Sequence, residues 1–283
     1  MAKAVTTTKK PATKAVAKTG GAALPAHLAK VKMTGAGVST DAADNLIPMA
    51  RVLQPLSPEV QKKGTNSIPG AEPGDILIKN APNPIIKADD GFLFQPCYFD
   101  KGFVEWLPRS KGGGGGGGFV AMHKEEPKDT ESRPNPENPE KTIRVRKSNG
   151  NLVVETRYHG GFIIADGEPP MPAVIPFSGS GHSVSKRWMM LMNKKVVDGA
   201  KVDSFAILYK FVTVHVERGG NNWFMFEVSD AGEEDANGLP TTRWVDSVED
   251  YERGKALSDS LTTGARTFDA SEAAPTEEAD DKM

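Results

Sequence analysis

The run "SFAILYKFVTVHVERGGNNWFMFEV", residues 204–228, constrains the fold more than any other stretch of the chain. Its first half is crowded with β-branched and aromatic residues, which suit the pleated surface of a strand. It breaks at Arg218-Gly219-Gly220-Asn221-Asn222 and resumes as "WFMFEV". Glycine and asparagine supply the backbone freedom of a tight turn, so the segment predicts a long antiparallel hairpin.

Two further hairpins are expected upstream. "GFLFQPCYF" and "FVEWLPR" read as strands joined by Asp100-Lys101-Gly102, a short connection ending in glycine. Pro96 has no N–H to donate, which assigns the first of these strands to an edge or a bulge. "KTIRVRKSNGNLVVETRYHGGFII" contains Asn149-Gly150, the strongest short hairpin signal in the chain. Shorter strands are expected at 75–78 and 119–123. "NLIPMARVLQPLSPEV" reads as an extended piece ending in a turn, because Pro48, Pro55 and Pro58 forbid a long helix. Residues 124–141 are polar and proline-rich and predict a mobile loop.

Only two helices are expected. "SVSKRWMMLMNKKVV" has Ser183 or Ser185 as a cap and Gly199 beyond its end. The second runs from about 246 to 261, with Val248, Tyr251, Leu257 and Leu261 on one stripe. Many short strands and two helices predict a mainly β domain, most economically a small closed or partly open barrel with a helix against it.

The ends differ from this middle. Residues 1–43 carry Lys3, Lys9, Lys10, Lys14, Lys18, Lys30 and Lys32 and few large apolar groups, which predicts a disordered basic tail. Residues 264–283 predict an acidic one, with Glu277, Glu278, Asp280 and Asp281 near its end. The net charge of −2 conceals this asymmetry, which points to nucleic acid or to a partner competing with it. The β-rich domain is expected at 44–263. No apolar run approaches the length of a membrane span. Cys97 is the only cysteine, so no intramolecular disulfide and no cysteine-based zinc site can form.

Catalytic patterns are missing from the sequence. The glycines Gly112 to Gly118 are not followed by the Gly-Lys-Ser/Thr of a phosphate-binding loop, and "GSGHS" lacks the nucleophile-elbow pattern. The histidines show no metal-ligand spacing, and the acidic cluster at 230–238 lacks that of a calcium loop. Neither an enzyme, a metal nor a cofactor is expected. Seven glycines carry too large an ordering cost for a fixed phosphate cradle, so the run is read as a flexible connection able to close over a bound strand.

Nucleic-acid binding has more in its favour. Single-strand binders combine cations with aromatic faces on which bases stack. Tyr98, Phe103 and Trp106 supply rings beside Lys101, Arg109 and Lys111, and Arg144, Arg146, Arg157 and Tyr158 extend the set. Alternation along each strand divides these residues between two faces, one of which must fill the core. Which ring stays exposed is left open at this point.

"IPMARVLQPLSPEV", "PGDILI", "CYFDKGFVEWLPR" with its glycines, "KRWMMLM" and "FAILYKFVTVHVERGGNNWFMFEV" together resemble a bacteriophage protein family with some members catalogued as single-stranded DNA-binding proteins. The resemblance spans roughly 46–258. It implies an oligonucleotide-binding (OB-like), partly open barrel and a non-catalytic role on single-stranded DNA in replication or recombination, in the host bacterial cytoplasm. The acidic end, "EEADDKM", is similar to tails that recruit replication enzymes, but lacks their terminal aromatic residue. The alternative expectation is a virion structural or decoration protein.

Overall fold

The chain divides into residues 1–39 and residues 40–283. The computed structural model describes residues 46–61, 65–108, 118–136, 139–218 and 220–272, all in the second unit. The expected basic tail at 1–43, Arg109, Lys111, the glycines through Gly117 and residues 273–283 lie outside the described residues.

Prolines divide the first segment into β1 (Leu46–Ile47) and β2 (Ala50–Val52). The latter joins β3 (Ile76–Ile78) and β4 (Ile85–Ile86) in a three-stranded antiparallel sheet. Next come β5 (Phe92–Trp106), β6 (Phe119–His123), β7 (Thr130–Pro134), β8 (Thr142–Arg146), β9 (Leu152–Ile164) and β10 (Met171–Ser178). Helix α1 (Gly181–Asn193) is followed by the small hairpin of β11 (Val196–Val197) and β12 (Ala200–Lys201). Then come β13 (Ile207–Arg218), β14 (Asn221–Asp230), β15 (Arg243–Trp244), α2 (Val248–Thr262) and β16 (Thr267–Phe268).

Nine strands form the main sheet, whose path runs β14-β13-β5-β9-β8-β7, with β10 on β9, β6 on β5 and β15 on β13. The pairings among the described residues do not return on themselves to close a barrel. The coarse expectation of a mainly β domain with two helices is therefore met, and the 207–230 hairpin forms as expected.

The Asp100-Lys101-Gly102 hairpin does not form. β5 runs straight through it, with Lys101 opposite Arg157 and Gly102 opposite Thr156. Gly102 is a packing residue here: a Cβ would stand 2.6 Å from Met122 Cε. Residues 124–141 are not simply a loop either, since β7 lies within them and pairs with β8. Helix α1 begins at Gly181, ahead of the expected Ser183 or Ser185 cap, and the side chain of its N-cap residue, Ser180, makes no capping bond. Residues expected at the start of the acidic tail belong to the fold, because β16 pairs in parallel with β1. Helix α2 lies where it was expected, with Gly264 (φ 75°) after its end, but Ser247 caps it, its Oγ accepting from Asp250 N, and of the expected stripe Leu257 and Leu261 are buried while Val248 is exposed.

The register of β5 on β9 shifts between Pro96 and Tyr98. Pro96 faces Gly161, Tyr98 faces Gly160, and Cys97 is the extra residue of the bulge. The pair "HGG" in β9 is thus a contact point rather than a turn. A Cβ on Gly161 would stand 2.1 Å from the Gln95 carbonyl oxygen. Pro96 fits because a bulge releases it from the ladder. Buried Gln95 ties this point to α2: its Nε2 donates to Phe205 O at 2.7 Å and to Asp250 O at 2.9 Å. Gly254 of α2 leaves room for that amide, since a Cβ there would be 2.6 Å from Gln95 Nε2.

Two cores result. Phe92, Phe94, Trp188, Tyr209, Phe211 and Phe226 pack on one face of the sheet under α1 and the three-stranded sheet. Cys97, Val104, Trp106, Val154, Tyr158 and Phe162 pack on the other under α2. Each fully buried large side chain contributes roughly 1.5–3 kcal/mol, and well-oriented ring pairs add about 0.5–1.5. Exposed ion pairs contribute about 0–1 kcal/mol each. The aromatic clusters therefore dominate.

Gly161→Ala is expected to destabilise the fold by at least about 1–3 kcal/mol, the usual overpacking cost, because a backbone carbonyl cannot step aside. Gly254→Ala tests the α2 contact separately. Helix propensity favours alanine there by about 1 kcal/mol, so a net loss reports the clash with Gln95 and Phe205. Urea unfolding followed by tryptophan fluorescence measures both.

Candidate nucleic-acid interface

The register of β5 on β9 decides which expected residues stand together. Lys101 faces Arg157 and Phe103 faces Glu155, while Trp106 faces Leu152 and Asp100 faces Tyr158. Alternation then separates the set. Lys101, Phe103 and Arg157 belong to one face. Trp106, Tyr158 and half-buried Tyr98 belong to the other, in the core beneath α2.

Phe103 is 6% exposed, Trp106 4% and Tyr158 0%. The expectation of base stacking on these three is corrected, since a sealed ring offers no face to a base. Trp106 and Tyr158 close the core beneath α2, where large aromatics supply much of the apolar area, and the Phe103 ring is covered by Lys101, whose Nζ lies 5.2 Å from its centre. Tyr98 packs against α2, where a Cβ on Gly160 would meet both it and Leu261. Burial and then the charge of Asp100 push its hydroxyl up to about 12.

Arg146 is not free for phosphate. It binds Glu105 Oε2 through Nη1 at 2.8 Å and Asp129 Oδ1 through Nε at 2.6 Å. Buried Glu105 also accepts from Asn151 Nδ2 at 2.6 Å and Asn149 Nδ2 at 3.0 Å, and His123 Nε2 lies 2.9 Å from its Oε2. Burial by itself would raise the pKa of this carboxyl. The bonds from Asn151, His123 and Asn149 and the charge of Arg146 outweigh burial and hold it at about 2. The network ties β5, β6, β8 and the Asn149-Gly150 turn together. Arg144 pairs with Glu126 at 3.5 Å and borders a shallow depression with Ile143, Glu155, Gly179 and His182.

The remaining cations of the strand pair, half-exposed Lys101 and largely buried Arg157, share one face. Glu155 Oε1 lies 3.7 Å from Lys101 Nζ and 3.5 Å from Arg157 Nε, so one carboxylate serves two cations. Two residues before Lys101 on the same face stands Phe99, whose ring is 40% exposed and rests 4.9 Å from the buried His159 ring. His159 is held by Ser185 Oγ at 2.8 Å and stacks on Trp188 at 4.4 Å. Burial, then the charge of Arg157, lower its pKa to about 3.

Helix α1 continues this face. His182 Nε2 lies 3.0 Å from Glu155 O, which sets the first turn of the helix against β9. Burial lowers the pKa of His182 against the opposing pull of Glu155, and Arg157 and Lys186 push it the same way, which places both cations within electrostatic reach of His182. Val184, Ser185 and Trp188 point into the core. Lys186, Arg187, Met190 and Lys194 are exposed on the opposite side, and no ion pair engages these three cations among the described residues.

Phe99, Lys186, Arg187 and Lys194 were outside the expected site. Phe99 is signalled in the sequence only by its two-residue spacing from Lys101. The helical cations are signalled by the buried pattern of α1, which fixes its outer side.

Acid tests the polar network. The pKa of Glu105 is depressed in the folded state, so its contribution is present above the ordinary value of 4.5 and is lost as pH falls toward about 2. His159 acts in the same direction between 6.5 and about 3, because the unfolded chain takes up a proton that the folded chain refuses. Stability is expected to fall progressively below pH 6.5. Glu105→Gln is expected to cost about 1.5–3 kcal/mol at neutral pH and to flatten the acid end of the profile. Urea unfolding across a pH series measures both.

No curated protein and no solved structure matches the chain. A family model described as "Pam3 phage gp34-like protein" matches residues 17–267, most of the sequence. The match agrees with the bacteriophage part of the resemblance, and its description carries no statement about single-stranded DNA. The chain belongs to the Pam3 phage gp34-like protein family.

Proposed function

We propose that this phage protein binds single-stranded DNA without catalysis, on the face made by Phe99, Lys101, Arg157 and the outer side of α1. The observation that carries the reading is the continuity of an exposed ring with cations that outnumber their acids: Glu155 alone answers Lys101 and Arg157, and Lys186, Arg187 and Lys194 have no acidic partner among the described residues. A base stacks on Phe99, and the phosphates that follow lie along α1. The helix spans about 20 Å at 1.5 Å per residue, enough for a few nucleotides. Arg109 and Lys111 lie outside the described residues and are assigned to the same strand of DNA as supplementary phosphate contacts. The acidic residues Glu277, Glu278, Asp280 and Asp281 are assigned to replication or recombination proteins in the host cytoplasm. No helix among the described residues is long and apolar enough to cross a membrane.

Fluorescence polarisation with labelled oligonucleotides tests the reading. Affinity is expected to fall steeply with salt, because each phosphate contact releases counterions. Replacing Lys186, Arg187 and Lys194 together by Ala is expected to reduce the salt slope by about 2, at roughly 0.7 per contact on single strands. Phe99→Ala is expected to cost about 1–3 kcal/mol with little change in that slope. Equal affinity for double strands would remove the reading.

The second reading is a virion structural or decoration protein. The engagement of Arg144 by Glu126 and of Arg146 by Glu105 and Asp129 favours it, because paired cations hold a surface together more readily than they grip phosphate. Mass spectrometry of purified virions separates the two: abundance in mature particles supports the virion role, and absence supports the replication role.

A further inference from the structure

Given the reading of the α1 face as a single-stranded DNA site, on which this rests, we propose that Trp244 is a second base-stacking ring of that site. It stands at the C-terminal end of α1, whereas Phe99 stands beside the N-terminal half. Among the described residues only three phenylalanine, tyrosine or tryptophan side chains are exposed: Phe99 (40%), Phe119 (39%) and Trp244 (47%). Directly opposed residues of an antiparallel pair project to the same face. Phe119 opposes Trp106 of the core beneath α2, and its ring rests 5.8 Å from the Trp106 ring. Trp244 opposes Ile207, which is buried in the core beneath α1. Phe99 opposes His159, whose ring stacks on Trp188 of α1. Phe99 and Trp244 are therefore the two exposed rings on the α1 side of the sheet.

Side-chain ties set their order along the helix. The first turn of α1 lies against β9 through His182. Two residues past the other end, Lys195 Nζ lies 2.8 Å from Asp230 Oδ1 of β14 and donates to Thr242 Oγ1 at 2.7 Å. Thr242 is two residues before Trp244. Exposed Lys201 donates to the side chain of Asn193, the last residue of α1, at 2.6 Å and pairs with no carboxylate among the described residues. The face thus begins with Phe99 and Lys101, continues through Lys186, Arg187, Lys194 and Lys201, and ends at Trp244.

A lone exposed apolar side chain is ordinary on any surface. Trp244 differs in closing a row of cations that lack acids. Three carboxylates near this end are engaged: Asp230 by Lys195, Asp246 by Arg243 at 3.8 Å, and Asp203 by the Tyr251 hydroxyl at 2.7 Å. The backbone behind the ring is fixed, since Val245 N donates to Ala206 O at 3.1 Å. No other ring and no cation covers the indole among the described residues. A rigid, half-exposed indole beside open cations suits an unpaired base, which has a free face for stacking.

Titration of the full chain with an oligothymidylate tests this, read by tryptophan fluorescence and by polarisation of the labelled oligonucleotide. Trp106 and Trp188 are buried, so quenching on binding is expected mainly from Trp244. Trp244→Phe is expected to remove most of the quenching and to keep affinity within a few-fold. Trp244→Ala is expected to weaken binding roughly 5- to 150-fold, the loss of one stacked base, with the salt slope unchanged. If Trp244→Ala fails to fold by circular dichroism, the quenching of Trp244→Phe decides. Binding with full affinity in Trp244→Ala, or with full quenching in Trp244→Phe, overturns this inference and leaves the single-strand reading standing. A wild type that does not bind the oligonucleotide overturns both.

Discussion

The antiparallel pairing of β5 with β9 is the constraint on which the rest of this structure depends. It runs from Leu93–Ile164 to Trp106–Leu152 and is interrupted by one bulge at Cys97. Every other long strand of the main sheet except β14 and β7 hangs on one of these two: β13 and β6 on β5, β8 and β10 on β9. The bulge works because two glycines face it. A side chain at Gly161 would collide with the Gln95 backbone, and one at Gly160 with Tyr98 and Leu261. Glycine weakens an ordinary strand, but here the missing Cβ is what lets β5, β9 and α2 approach. The same register distributes aromatic residues to two cores on opposite faces, one closed by α1 and one by α2.

Polar chemistry plays a different part at each end of this pair. Near Trp106 the buried Glu105 collects three side-chain donors besides His123, and its charge is held by neighbours on three other segments. An ionised carboxylate in that position is tolerable because its oxygens are all engaged. Near Phe99 the balance reverses. Cations exceed acids, and the helix that follows adds more of them on its solvent side. The first arrangement locks strands together, whereas the second leaves charge unspent at the surface, which is where an anionic polymer would find it.

Two roles are proposed for this member of a phage family, one on single-stranded DNA and one in the virion. The difference between these two roles lies in how its cations are used. Those on β8 are engaged by carboxylates and stiffen the fold. Those on α1 are not.

The long hairpin at 207–230, the strand nature of 92–106 and 152–164 and the position of α2 were legible in the sequence, because β-branched and aromatic runs, Gly-Gly and Asn-Gly turns, helical apolar spacing and a terminating glycine act locally. The failures were also physical. Asp100-Lys101-Gly102 has turn chemistry, yet pairing along the whole of β9 kept the strand extended through it. β7 lies in a polar stretch with no apolar period, and β10 contains two prolines, so only partner strands reveal them. Residue types and spacing determined that aromatics and cations alternate along these strands. Which rings were sealed, and which cations kept no acid, was decided by the register of β5 on β9 and by the side of α1 that faces the core, since burial and charge pairing depend on residues far apart in the chain.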